Sequence, residues 1–394
     1  MEIRNESERA ALDAARARIE ELAPEAAALN RWLAENPEIS GEEREACERF
    51  CALLEAHGAA AERGFCGVPH AFRARVCEAP ESGINIGILA EYDALPEIGH
   101  ACGHCASGSL SLLAALALHG SGLAANVDII GTPDEELNGR KIDMAKAGVF
   151  DKYDFVIMIH MDSKNKIESK FLALSAFRYN FRGAPAHASS CPWEGRNALN
   201  GVTLMAHALD MMRQHVRPST RIHGIITRGG EASNIVPEFA SAEYLFRSPD
   251  SRYLAEILPK LHDCARGAAL ATQTEVEIDE FAPPFDSMKP NPAGTALLGE
   301  IYESLGLPVT EDDIERAGSS DIGNVSFRCA AFHPTLSVCD GDIPAHTREF
   351  AACMKGERIE KVIKTGARVI CEMIIRSVYE PERLEAIRRG FRAS

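Results

Sequence analysis

Ile84-Asn85-Ile86-Gly87-Ile88-Leu89-Ala90, then the turn Glu91-Tyr92-Asp93-Ala94-Leu95-Pro96, then Gly99-His100-Ala101-Cys102-Gly103-His104-Cys105, decides how the rest of the chain reads. The first run has the continuous apolar character of a strand buried on both faces. The residues after Cys105, Ala106 to His119, are small or leucine-rich and predict a helix. A thiol and an imidazole two residues apart, between a strand and a helix, can face one point in space. Such donors suit zinc and other borderline transition metals better than magnesium or calcium. A C-x-H triplet also arises by chance, so it needs companions elsewhere in the chain.

Working outward, further strands are expected at 70–77, 126–131 and 154–160, with a helix at about 138–149. Strands alternating with helical patterns predict a mostly parallel sheet flanked by helices, an α/β arrangement. In such sheets ligands gather beyond the carboxyl ends of the strands. Three polar clusters fall there: Cys102 and His104; Gly131-Thr132-Pro133-Asp134-Glu135-Glu136; and His160, after Phe155-Val156-Ile157-Met158-Ile159. Adjacent Glu135 and Glu136 point in different directions, so one can bind a cation while the other acts as a base. They also read as solvated acids before a helix. His160 is either a ligand or a satisfied strand-end histidine, and His346, in Asp342-Ile343-Pro344-Ala345-His346-Thr347, either a ligand or surface.

The N-terminal residues 6–36 carry Leu12, Ala15, Ile19, Leu22, Ala26, Leu29 and Leu33 at helical spacing, with Pro24 expected to split the helix in two. Ser40 and Glu43 have capping-box spacing for a second helix ending near His57-Gly58. Cys47 and Cys51 share one face of it and read as core thiols. From about 172 the pattern becomes strand 172–182, helix 195–214, strands 221–228 and 236–247, helix 251–270 and strand 273–281. That β-α-β-β-α-β order is ferredoxin-like. The division expected is one catalytic α/β domain, 1–171 plus 286–394, interrupted by an α+β domain at 172–285.

Composition bounds the function. The 394 residues are 46% apolar and 25% charged, which is globular, and the net charge of −16 argues against a nucleic-acid partner. No apolar run approaches the roughly 20 residues a membrane span needs, and the N-terminus has no signal-like core. Twelve cysteines without such a signal read as reduced thiols, so the expected location is the cytoplasm.

Taken together, these stretches resemble the two-domain co-catalytic metallopeptidases and amidohydrolases that include carboxypeptidase G and the aminoacylases. The similarity is greatest to the branch with aminobenzoyl-glutamate hydrolase, auxin-conjugate hydrolases and related dipeptidases. It rests on Asn36 to Ser40, Glu91 to Pro96, Gly99 to His104, Gly131 to Glu136, Gly183-Ala184-Pro185-Ala186-His187-Ala188, Trp193 to Ala198, Gly229-Gly230 with Asn234 and Pro237, Gly318-Ser319-Ser320-Asp321, and His346-Thr347 with Glu349-Phe350. The resemblance implies a zinc-peptidase-like catalytic domain whose inserted domain serves as lid and dimerisation surface.

By the same resemblance, Cys102 would bridge two divalent transition-metal ions, manganese or zinc, with His104, Glu136, His160 and His346 completing the ligand set. Glu135 would be the general base toward a metal-activated water, and His187 an oxyanion donor reaching a partner subunit's site in a homodimer. Asn234 and Arg247 would hold the substrate's polar end, or else stabilise a turn and a solvated strand end. The implied reaction is cleavage of the amide bond of an N-acyl or N-aroyl amino acid or dipeptide. The alternatives are an aminohydrolase releasing ammonia from another C–N bond, and a catalytically silent partner subunit. Cys105, Asp134 and the segment 161–166 depart from the family's pattern around the pocket. His100 and His333 stand as structural histidines held in reserve as metal candidates.

Overall fold

In the computed structural model, which describes residues 6–393, the strand Asn85–Ala90 lies inside a six-stranded sheet, with five of its six residues buried. It pairs in parallel with Asn126–Gly131 on one side and Phe155–Ile157 on the other. Ala330–Phe332 extends the parallel part, and Phe72–Cys77 and Ala61–Arg63 add an antiparallel edge. Because the first three strands are neighbours running the same way, their carboxyl ends come out side by side. The three polar clusters read from the sequence follow those ends.

The helix His104–Leu118 has no solvent face: all 15 of its residues are buried. It packs against the long helices Glu6–Glu35 and Glu357–Tyr379 and against the sheet. It begins two residues earlier than expected, so His104 sits in its first turn. Gly103 opens it with a left-handed φ of +85°, and a Cβ there would meet Met161 Cβ at 2.4 Å, so only glycine fits between the two donor residues. Gly108 lets the same helix ride over the turn below, since its Cβ would lie 2.4 Å from the Glu91 carbonyl oxygen.

Three expectations are corrected. Pro24 does not split the first helix, which runs unbroken from Glu6 to Glu35. Pro24 and Glu20 both face solvent, so the carbonyl that the proline leaves without a donor lies on the open side of the helix. The buried stripe from Leu12 to Leu33 passes beneath it and keeps the two halves on one core. The Ser40–Glu43 capping box does not form either. Glu38 accepts the amides of Glu45 and Ala46 (3.0 and 2.8 Å), while Ser40 donates to Asp93 Oδ2 (2.8 Å). Finally, the strand expected at 154–160 is two strands. Phe155–Ile157 stays in the large sheet, and His160–Asp162 pairs with Thr335–Ser337 in a separate ribbon. Between them His160 donates to the Pro334 carbonyl (3.0 Å), but Pro334 has no amide to return, so the ladder breaks.

The chain divides into two units. One holds the residues up to Ser169 with Lys289–Asp313 and those from Asn324 onward; the other holds Lys170–Met288 and Ile314–Gly323. In the second, strands Ala173–Arg182, Arg221–Arg228, Phe239–Ser248 and Glu275–Phe285 form an antiparallel sheet in the order fourth, first, third, second. The helices Ala198–Met212 and Ser251–Thr272 pack against each other and the sheet. This is the ferredoxin-like β-α-β-β-α-β arrangement. Ile314–Gly323, from a stretch the sequence reading gives to the catalytic part, is tied here by Leu172 N to Gly318 O (2.8 Å) and by Arg221 to Glu315 (2.7 Å).

Candidate metal centre

The turn after Ala90 continues the alternation of its strand. Tyr92 points into an aromatic cluster, 5.1 Å from the Phe50 ring and 5.9 Å from Phe72, and donates to the His70 carbonyl (2.6 Å). Glu91 and Asp93 therefore project the other way, and both are 1% exposed. Asp93 Oδ1 accepts from His104 Nδ1 at 2.8 Å; its Oδ2 accepts from Ser40 and from the amide of Glu136 (3.0 Å). One carboxylate thus fixes the imidazole's tautomer and the loop that carries Glu136. Burial works against its charge, but His104 and these hydrogen bonds hold it well below the usual carboxylate range.

With Nδ1 committed, His104 presents Nε2, a buried atom without a hydrogen-bond partner. Burial disfavours the imidazolium, yet the Asp93 and Glu91 carboxylates outweigh it and hold the pKa well above the ordinary value. The pocket calls for positive charge at that nitrogen. His160 is oriented in the same manner: its Nδ1 donates to the Met161 carbonyl (2.8 Å), and its ring meets His104 edge-on at 5.2 Å. His333 stacks on His160 at 5.3 Å, and burial pushes its own pKa down to about 3. Burial likewise lowers His100 to about 3, so both reserve histidines are neutral core groups.

Cys102 donates its thiol to Glu136 Oε1, and His346 Nε2 lies 3.7 Å from that same oxygen. Burial, with Glu136 and Glu135 close by, pushes the Cys102 thiol far up. Donor atoms of Cys102, His104 and Glu136 all lie within 4.8 Å of one another, as do those of Glu91, His104 and His160. A carboxylate oxygen of Glu135 lies within 4.8 Å of one of Glu91. His346 reaches in from a loop, its own backbone in the left-handed region at φ +63°, its amide donating to the Ala101 carbonyl (2.9 Å).

This donor set fits a transition cation. A buried imidazole nitrogen without a partner, a thiol beside a carboxylate and a second imidazole are the groups such an ion takes. The five residues singled out as ligands are brought together; Glu91, Asp93 and Lys141 were given no role from the sequence. Lys141 is wholly buried and pairs with Glu91 Oε1 at 2.6 Å. The signal for them was the strand-end acids and a lysine beside Ile142, Met144 and Ala145 on the core face of the helix Arg140–Lys146.

The other three expected residues belong to the second unit. His187 is exposed, and its Nδ1 accepts the amides of Ser189 and Ser190 (both 3.3 Å), which leaves Nε2 as the donor in the neutral ring. Asn234 is its neighbour: the Ala188 amide donates to the Asn234 carbonyl (2.9 Å), and His187 bridges to Ile235. Arg247, half-buried near the end of its strand, donates to Ser319 Oγ (3.1 Å), and burial lowers its pKa.

Thiol, imidazole and carboxylate donors gathered at the carboxyl ends of adjacent parallel strands form a candidate transition-metal centre of the kind that hydrolases use. Residues 173–272 match the peptidase dimerisation domain of M20 peptidases. The chain is 33% identical over 392 residues to a mouse Xaa-Arg dipeptidase, covering 95% of this chain and 90% of that one. It is 31% identical over 294 residues to one of the subunits of the Escherichia coli p-aminobenzoyl-glutamate hydrolase, covering 69% and 60%. A Bacillus subtilis structure described as a dinuclear metal binding peptidase from the M20 family shares the fold, with a TM-score of 0.71 and 17% identity over 91% of this chain and 99% of that one. The chain belongs to the M20 family, whose members hydrolyse amide bonds.

Proposed function

We propose that this protein hydrolyses the amide bond of a dipeptide or an N-acyl or N-aroyl amino acid, with two divalent cations held by Cys102, His104, Glu136, His160 and His346. The observation that carries this reading is the convergence of those five side chains beside Glu135. Manganese or zinc suits the mixed thiol, imidazole and carboxylate donors. When bound, such a pair polarises the scissile carbonyl and acidifies a water.

The chain's own residues supply the rest. Asp93 keeps His104 in the tautomer that offers Nε2 and ties the Glu136 amide to the same carboxylate. Glu135 removes the water's proton as it attacks the carbonyl carbon and then delivers it to the departing amine nitrogen. In a homodimer, His187 reaches the partner subunit's site and donates from Nε2 to the oxyanion that develops there. Asn234 and Arg247 receive the substrate's polar end, and the inserted unit acts as the lid.

A homodimer through that unit is supported by the matched dimerisation domain. The outer strand Arg221–Arg228 also exposes Ile225 and Ile226, at 65% and 51%. Among the described residues no helix is long and apolar enough to cross a membrane. All twelve cysteines are free, which supports a reducing, cytoplasmic location.

The test is a purified, manganese- or zinc-loaded enzyme offered Xaa-Arg dipeptides, aroyl-glutamates and acyl-amino acids, with amine, amino acid and ammonia release all read. Amine or amino acid release from at least one class is expected. Ammonia release instead, or no turnover of any kind, sinks the proposal. Glu135→Gln should keep both metal equivalents while lowering kcat by about 100-fold or more; near-normal kcat would remove Glu135 from the role of base.

A further inference from the structure

Glu91 lies 3.3 Å from His104, Oε2 to Nε2, and both atoms are buried and make no hydrogen bond, to each other or to anything else. With Nδ1 engaged by Asp93, His104 aims Nε2 at Glu91 Oε2, and the two buried atoms face each other as an ion pair. The Nε2 proton satisfies the pair, and a divalent cation that takes the proton's place would meet both atoms at once. Donor atoms about 2.0–2.2 Å from one tetrahedral ion stand about 3.3–3.6 Å apart. The Glu91–His104 spacing is that of two ligands on one ion, and His160, its Nδ1 also engaged, completes the trio within 4.8 Å.

The rest of Glu91's surroundings prepare it for this. Lys141 neutralises Oε1, so a carboxylate can exist at 1% exposure with Oε2 left over. As a bare ion pair, Glu91 and Lys141 would be poorly stabilising, because desolvating two charges offsets most of their attraction. The residue cannot easily swing away either, because Gly108 brings the central helix down onto the Glu91 carbonyl.

We propose that Glu91 is a sixth metal ligand: its Oε2 binds the divalent cation gathered by His104 and His160, while Lys141 holds Oε1. This rests on the two-cation reading above and makes the two positions unequal. With Cys102 shared between them as the bridge, one position adds His104, His160 and Glu91, and the other adds Glu136 and His346.

Cobalt(II) reports on both positions, because a cobalt bound to Cys102 gives a thiolate charge-transfer band and its d–d bands follow its remaining ligands. Metal-free protein is titrated with cobalt(II), reading bound equivalents by elemental analysis and the visible spectrum, with no substrate present. Wild type should take up two equivalents. Glu91→Gln should keep a charge-transfer band from the cobalt that stays on Cys102 but bind one of the two ions about tenfold or more weakly, with altered d–d bands. Glu91→Asp, which keeps the charge beside Lys141 but draws the oxygen back by one methylene, should show the same loss and serves if the glutamine variant does not fold. A double variant, Glu91→Gln with Lys141→Met, removes the ion pair altogether. If Glu91 served only to pair Lys141, that variant would regain wild-type binding, and the proposal would be overturned. It is equally overturned if either single variant titrates like wild type. A wild-type protein that takes up one equivalent or none refutes the two-cation reading instead, so the two failures are told apart.

Discussion

Cys102 shows what the pocket demands of a single residue. Its thiol is pushed up by burial and by Glu136 and Glu135, so an arriving cation must displace a proton before it can hold the sulfur. Metal uptake should therefore release protons, measurable in a weakly buffered titration with an indicator dye. Cys102→Ala should release fewer and should bind fewer metal equivalents. Glu43 offers a second test at this scale. It is buried, accepts the Asp134 amide at 2.7 Å, and burial is the main cause that lifts its pKa to about 7. A raised acid binds its proton more tightly in the folded state, so its contribution to stability falls as pH rises from about 4.5 to 7 and stays low above that. Glu43→Gln keeps the accepting oxygen without the charge. It should raise stability above pH 7 by on the order of 1–3 kcal/mol and make little difference below pH 4.5. Thermal melts of both proteins at pH 4.5 and 8 check this.

At the scale of elements, what could be read in the sequence depended on whether a signal was local. Strand 126–131 and strand 221–228 are found at their expected bounds, because apolar or alternating runs between turn residues specify them. The capping box failed because Ser40 and Glu43 had stronger partners far along the chain, at Asp93 and Asp134. The convergence of the expected ligands was legible since Cys102, Glu136 and His160 each follow a strand end. Glu91 and Lys141 were not, because a buried ion pair 50 residues apart leaves no periodic trace. Pro24 gives the element-scale prediction. It lacks one helical hydrogen bond in a helix its neighbours keep continuous, so Pro24→Ala should stabilise the protein by on the order of 1–3 kcal/mol, seen as a higher Tm. The outer strand gives another: Ile226→Lys should turn a dimer into monomers in sedimentation, with the melting of the second unit's own core little changed.

For the whole molecule, a site assembled from three strand ends, a helix start and a distant loop links metal binding to global stability. Chelation should lower Tm by several degrees, and the shift should grow with the free metal concentration used for comparison. The donors are nevertheless held with very different firmness. His104 opens a helix that meets no solvent on any side, with the buried Cys102 two residues before it, whereas the His346 side chain is 60% exposed and hangs from a loop. Ion turnover should follow that gradient, with a departing ion shedding His346 first and leaving the helix undisturbed. His346→Ala should then speed the fading of cobalt colour under excess chelator, while hydrogen exchange across 104–118 stays as slow as before. The enzyme could trade one metal for another without loosening its centre.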